Sequence, residues 1–109
     1  MKIMISIFLA FMGMACGHHP GKDPVIIAYF HERLAKVDIE KGDLQAIRKD
    51  MAGRRNPDHA AYLDHLAFAD RLLQSRLGSL PPSDPRAEAY MKAISEDIVA
   101  TNFLKAQAQ

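Results

Sequence analysis

The chain has a single cysteine, Cys16, in 109 residues, and no tryptophan. One thiol cannot close an internal disulfide or furnish a cysteine-based zinc site, so a folded domain here must be held by packing. Neither sign of charge dominates, with 14 Lys and Arg against 13 Asp and Glu. A nearly neutral domain has no long-range field to gather polyanions, and no nucleic-acid partner is expected. Apolar and polar residues do not alternate with the period of two that marks a half-buried strand, while alanine is abundant. The chain has no Gly-x-Ser-x-Gly elbow, no phosphate-cradling glycine loop and no cysteine nucleophile beyond Cys16. These absences lead us to expect no enzyme, no catalytic residue, no cofactor and no metal centre.

Long apolar runs are also scarce, and the one that exists comes first. Lys2 is followed by an uncharged run over residues 3–15, the layout of an export signal. As a helix this run would reach about 20 Å, short of the roughly 30 Å hydrocarbon core, so it does not read as a membrane span. Four of the six methionines, Met1, Met4, Met12 and Met14, belong to it and are not expected in a core. Without Lys2 the basic residues number 13, equal to the acidic ones, and the remaining chain is formally neutral.

The run ends Met12-Gly13-Met14-Ala15-Cys16. This resembles the lipobox of bacterial lipoproteins, with the small Ala15 before the cysteine and Gly13 where leucine is usual. The resemblance covers the leader only. It implies cleavage after Ala15, a thioether-linked diacylglycerol on Cys16 and an acylated amine, a set of chains that anchors far more firmly than one chain alone. It further implies a cell-envelope location facing the periplasm. Gly17, in place of the aspartate that often retains lipoproteins at the inner membrane, points to the outer membrane of a Gram-negative cell. The same residues also fit an ordinary signal cut after Ala15, giving a soluble periplasmic or secreted protein, or the buried apolar N-terminus of a cytosolic protein. The expected organisation is a signal over 1–15, a lipidated cysteine and tether over 16–22, and a bundle domain over 23–109. His18 and His19, adjacent in the tether, supply too few fixed ligands for a structural metal site.

About ninety residues suffice for one domain. Asp23-Pro24, Asn56-Pro57 and Asp84-Pro85 each place a capping side chain before a proline, whose fixed φ and missing N–H suit a first helical turn. Gly42, Gly53 and Gly78 follow apolar-periodic stretches and are expected to close helices in the left-handed conformation, with Asp43 capping the next. The spacing predicts an all-α bundle of three long helices and one short one, over 24–41, 44–52, 57–77 and 85–106. The expected core stripes are Ile27, Phe30, Leu34 and Val37, widened by Ile26 and Tyr29; Leu44, Ile47 and Met51; Leu63, Leu66, Ala69, Leu73 and Leu77, with Tyr62, Phe68 and Leu72 alongside; and Ala87, Met91, Ile94, Ile98 and Thr101, with Tyr90 and Leu104 alongside.

Val99 and Phe103 lie off that last stripe, leaving the fourth helix apolar over a wide arc that either meets the short second helix or another molecule. Arg48, Arg54 and Arg55, with Lys49, form the one basic concentration. They either complement the end of the second helix or dock an acidic partner or anionic headgroups. Val99, Phe103, Arg48, Arg54 and Arg55 are therefore the candidate partner-binding residues. Asp58, His59, Tyr62, Asp64 and His65 gather near the start of the third helix and are expected on its exposed flank. The function expected is protein binding at the envelope, as in an assembly or accessory factor of the pilotin kind. Alternatives are an immunity or exclusion protein that sequesters a toxin or competing element, and a ligand or metal carrier built on His31, His59 and His65.

Overall fold

Four helices carry the described part of the chain: α1, Asp23–Ala35; α2, Lys41–Ala52; α3, His59–Ser79; and α4, Arg86–Gln107. The computed structural model describes residues 21–107, so the leader, Cys16 and most of the tether lie outside the described residues. Among the described residues there is no strand, and no helix is long and apolar enough to cross a membrane. The all-α bundle read from periodicity is the fold.

The helix starts follow local chemistry with some shifts. Asp84 caps α4, its carboxylate accepting the Arg86 N–H at 2.8 Å. At α3 the cap is Asp58, which accepts from Ala61 N–H at 2.9 Å, while Asn56 turns the chain with φ 48°. Asparagine tolerates that left-handed conformation better than most residues. Asp23 stands inside the first turn of α1, after Lys22, and its buried carboxylate bonds His59 instead of a backbone N–H.

Of the three glycines only Gly53 closes a helix, and none does so in the left-handed conformation. Gly42 lies within the first turn of α2 and Gly78 within α3, while Gly53 ends α2 with a right-handed φ of −80°. Asp43 is not a cap, because the helix begins after Glu40 and buries Asp43 in its first turn. α1 stops at Ala35 rather than near 41, so the bundle has two long helices and two short ones. Lys36 and Val37 N–H groups bond back three residues, to Arg33 and Leu34, tightening the end. The β-branched Val37 and Ile39 then run as a link that still packs on the core, which suits their poor helix propensity.

The Arg33–Glu96 pair, and Gly21 beside Gln107, set α1 antiparallel to α4. Asp50–His65 and Asp43–Arg76 set α2 antiparallel to α3. α4 packs along both α1 and α3, and α2 packs on α3 and α1. The core comprises Ile27, Phe30 and Leu34 of α1, Ile47 of α2, Tyr62, Leu66, Ala69 and Leu73 of α3, and Tyr90, Ala93, Ala100 and Leu104 of α4.

On α4 the buried line is Tyr90, Ala93, Asp97, Ala100 and Leu104, while Met91 and Ile98, expected inside, are more than half exposed. The middle of that line, Ala93, Asp97 and Ala100, carries small side chains where α4 lies against both α1 and α3. The short α2 contributes one fully buried side chain, Ile47, worth about 1.5–3 kcal/mol. It is also held by polar bonds. Asp43 accepts from Arg76 Nε and Nη2, both at 3.0 Å, and from the Tyr90 hydroxyl, which itself accepts the Glu40 N–H at 3.0 Å. Burial works to raise the Asp43 pKa, but the bonds from Arg76 and Tyr90 outweigh it and hold the carboxyl below the usual range. Burial, then the bond to Asp43, pushes the Tyr90 phenol up to about 12.

Candidate functional site

The seam between α1 and α4 opens outward into an apolar groove of about 260 Å³. Its lining is Val25, Ile26, Tyr29 and Phe30 from α1 with Glu96, Val99, Ala100 and Phe103 from α4. Ile27, Phe30 and Leu34 turn inward, which leaves Val25 and Tyr29, four residues apart, on the outer shoulder. Val99 and Phe103 repeat that spacing across the seam. Between the shoulders the lining includes the buried Phe30 and Ala100. The exposures are 38% for Val25, 53% for Tyr29, 45% for Val99 and 56% for Phe103, so four large apolar side chains from two helices face solvent together. Single exposed apolar residues are ordinary, but a contiguous patch around a concavity is the usual form of an interaction surface.

Glu96 is the one charged lining residue, and Arg33 neutralises it, with Nε and Nη2 at 3.2 and 3.1 Å from Oε2. The Arg33 guanidinium also lies 6.0 Å from the Tyr29 ring centroid. The groove therefore offers apolar contact bounded at one end by an ion pair. Val99 and Phe103 were identifiable because they fall off the core stripe, and the structure places them on α1's side rather than against α2. Val25 carries no expectation, and Tyr29, expected to widen the core stripe of α1, instead stands 53% exposed on the groove's shoulder. Their signal was the pair of apolar doublets, Val25-Ile26 and Tyr29-Phe30, wider than one buried stripe requires.

The basic group is less available than its sequence suggests. Arg48, Lys49 and Arg55 are exposed, but Arg54 is engaged by Asp50, with Nε to Oδ2 at 3.0 Å and Nη2 to Oδ1 at 3.3 Å. Arg54 and Arg55 stand in the link that leads to His59, which bonds Asp23 at the start of α1. They thus share one end of the bundle with Gly21.

His65 and Tyr62 do not line an exposed flank. Both are buried, because residues 62, 65, 66, 69 and 73 form the inward seam of α3. His65 Nδ1 donates to Asp50 Oδ2 at 2.8 Å, leaving the neutral ring's Nε2 to accept from His31 Nε2, also at 2.8 Å. Burial, then the proximity of His65 and Arg48, lowers the His31 pKa to about 4. Burial also lowers that of His65, against the opposing pull of Asp50. Both rings are neutral at pH 7, and the line His31–His65–Asp50–Arg54 ties α1, α3 and the end of α2 together. His59 is taken up separately, its Nδ1 2.7 Å from Asp23 Oδ2. The three histidines considered for a carrier are therefore divided. Among the described residues, no group of three His, Cys, Asp or Glu side chains is arranged to hold a metal ion.

Comparison with known proteins finds no matching family model, no matching curated protein and no matching solved structure.

Proposed function

We propose that this protein is exported, anchored in the cell envelope through lipid on Cys16, and acts by holding the apolar face of a partner protein's amphipathic helix in the α1/α4 groove. That is the work of an assembly or accessory factor, performed by capture and without chemistry. The observation that carries the reading is the set of four solvent-facing side chains, Val25, Tyr29, Val99 and Phe103, around a concavity whose only charge is already paired. Two shoulders with i, i+4 spacing match the anchors that a docking helix presents at i, i+3, i+4 and i+7.

The topology supports the same reading. Cys16 precedes Gly21 by five residues, a reach of about 17 Å when extended. Gly21 adjoins Gln107, about one helical turn beyond Phe103, so a lipid on Cys16 would hold the open end of the groove close to the bilayer surface. A partner helix emerging from a membrane complex would meet it there, and Arg48 and Arg55 would face acidic groups of that complex or of lipid.

The test is co-purification from native membranes of wild type, Tyr29→Glu and Phe103→Glu, with Met91→Glu as an equally exposed control. Loss of one envelope partner in the first two variants, with the control unchanged and helical content equal in all four, is the expected outcome. Retention of that partner by both groove variants refutes the assignment.

A further inference from the structure

A second concavity lies between α3 and α4, with a volume of about 510 Å³. Leu63, Ala67 and Ile98 give it apolar walls, and Asp64, Asp70 and Asp97 make it acidic, with Lys105 as the one cation in the lining. Carboxylates on a helix surface are common and by themselves mean nothing. Asp97 differs because it sits on the buried line of α4, only 3% exposed, and its Oδ2 has no hydrogen-bond partner. Its Oδ1 accepts from the Thr101 hydroxyl at 3.2 Å. An orphaned buried carboxylate oxygen costs stability, so a buried aspartate facing a cleft calls for a group that completes it.

We infer that the α3/α4 cleft binds a small aliphatic amine, a diamine or polyamine, whose ammonium group donates to Asp97 Oδ2 while its hydrocarbon stem lies along Leu63, Ala67 and Ile98 and its second ammonium meets Asp64 or Asp70. The hydrogen bonding on Asp97 selects the head group. With Oδ1 engaged by Thr101, Oδ2 is the one oxygen of Asp97 without a partner, and being sealed from solvent it meets the ligand only after the Asp97 side chain turns toward the cleft. A single acceptor suits the point charge of an ammonium and not the paired donors of a guanidinium. A divalent metal is disfavoured, since the three aspartates are not arranged around one coordination centre. The lining carries three carboxylates against one ammonium and contains no aromatic ring, which favours an aliphatic dication.

Burial, then the nearby Asp70, pushes the Asp97 carboxyl up to about 7. The charged groups lining the cleft are Asp64 and Asp70 from α3 and Asp97 and Lys105 from α4, with none from α1. Amine affinity should therefore rise between pH 6 and pH 8 as Asp97 gives up its proton.

The probe is 1,4-diaminobutane, titrated calorimetrically into the full chain purified in detergent, at pH 8 and fixed ionic strength. Expected are saturable binding, a loss of at least tenfold in affinity for Asp97→Asn, a smaller loss for Asp70→Asn, and much weaker binding of 1-butylamine. Circular dichroism checks that both variants are folded, and Glu88→Gln, outside the cleft, should bind as wild type does. Absence of binding to the wild type, equal affinity in Asp97→Asn, or an equal response to magnesium chloride would each overturn the assignment. Since the groove lies on the other side of α4, failure here leaves the partner-capture reading untouched, and the reverse also holds.

Discussion

Asp97 and His31 govern the pH response from opposite sides. The folded Asp97 carboxyl holds its proton up to about 7, whereas in the unfolded chain it ionises near 3.9. The unfolded state thus loses its proton first, and stability falls as pH rises from about 4 to 7, then levels. His31 behaves oppositely: folded it resists protonation down to about 4, unfolded it protonates near 6.5, so stability falls as pH drops through that window. The two slopes partly cancel in the wild type. Asp97→Asn should expose the histidine slope and be more stable than wild type at pH 8 by on the order of 3 kcal/mol, with little difference at pH 4. His31→Gln, which keeps an N–H toward His65, should leave stability declining from pH 4 to 7. Urea denaturation of the three proteins at pH 4, 6 and 8 checks both, and parallel pH profiles would contradict the assignment of either group. The burial of neither residue was legible in the sequence. Asp97 is one aspartate among many until its neighbours at 90, 93, 100 and 104 are seen to be buried, and His31 and His65 meet only because α1 and α3 pack together.

At the level of elements, α2 is the dependent part. A 12-residue helix is marginal alone, and this one is secured by Ile47, by Asp43 at its beginning and by Asp50 near its end. Tyr90→Phe keeps the ring volume but removes the hydroxyl that bonds both Asp43 and the Glu40 N–H. It should cost about 1–3 kcal/mol and speed amide exchange in α2 more than in α3 or α4. Exchange that is unchanged in α2 would show that packing of Ile47 suffices. Existence and order of the four helices were legible because the stripes of Ile27, Phe30 and Leu34, and of Leu66, Ala69 and Leu73, have clean helical spacing. The end of α1 was not, since glycine looked like the terminator while the chain leaves the helix after Ala35 and turns through Val37–Ile39, which pack on the core. The phase of α4 was misread for a related reason: the middle of its seam, between Tyr90 and Leu104, is Ala93, Asp97 and Ala100, and hydrophobicity alone points to Met91, Ile94 and Ile98, of which only Ile94 packs on the core. That same misreading still flagged Val99 and Phe103, because they fall outside either stripe.

For the whole molecule, the proposal joins an anchor at one end to a groove near that end. Lipid on Cys16 predicts that radiolabelled palmitate enters the wild type and that the protein sediments with membranes, whereas Cys16→Ser loses both label and membrane association. An unlabelled wild type free in the periplasm would favour a diffusible protein in which Cys16 is incidental. The groove reading is tested most directly by placing a photo-reactive amino acid at position 103 in cells, with position 91 as control, and sequencing the crosslinked peptides. Expected from 103, and not from 91, is one recurrent envelope-protein segment with apolar residues at i, i+3, i+4 and i+7. Crosslinks from 103 that fall only on a second copy of this chain, only on lipid, or on the same peptides as those from 91 would contradict capture of a partner helix.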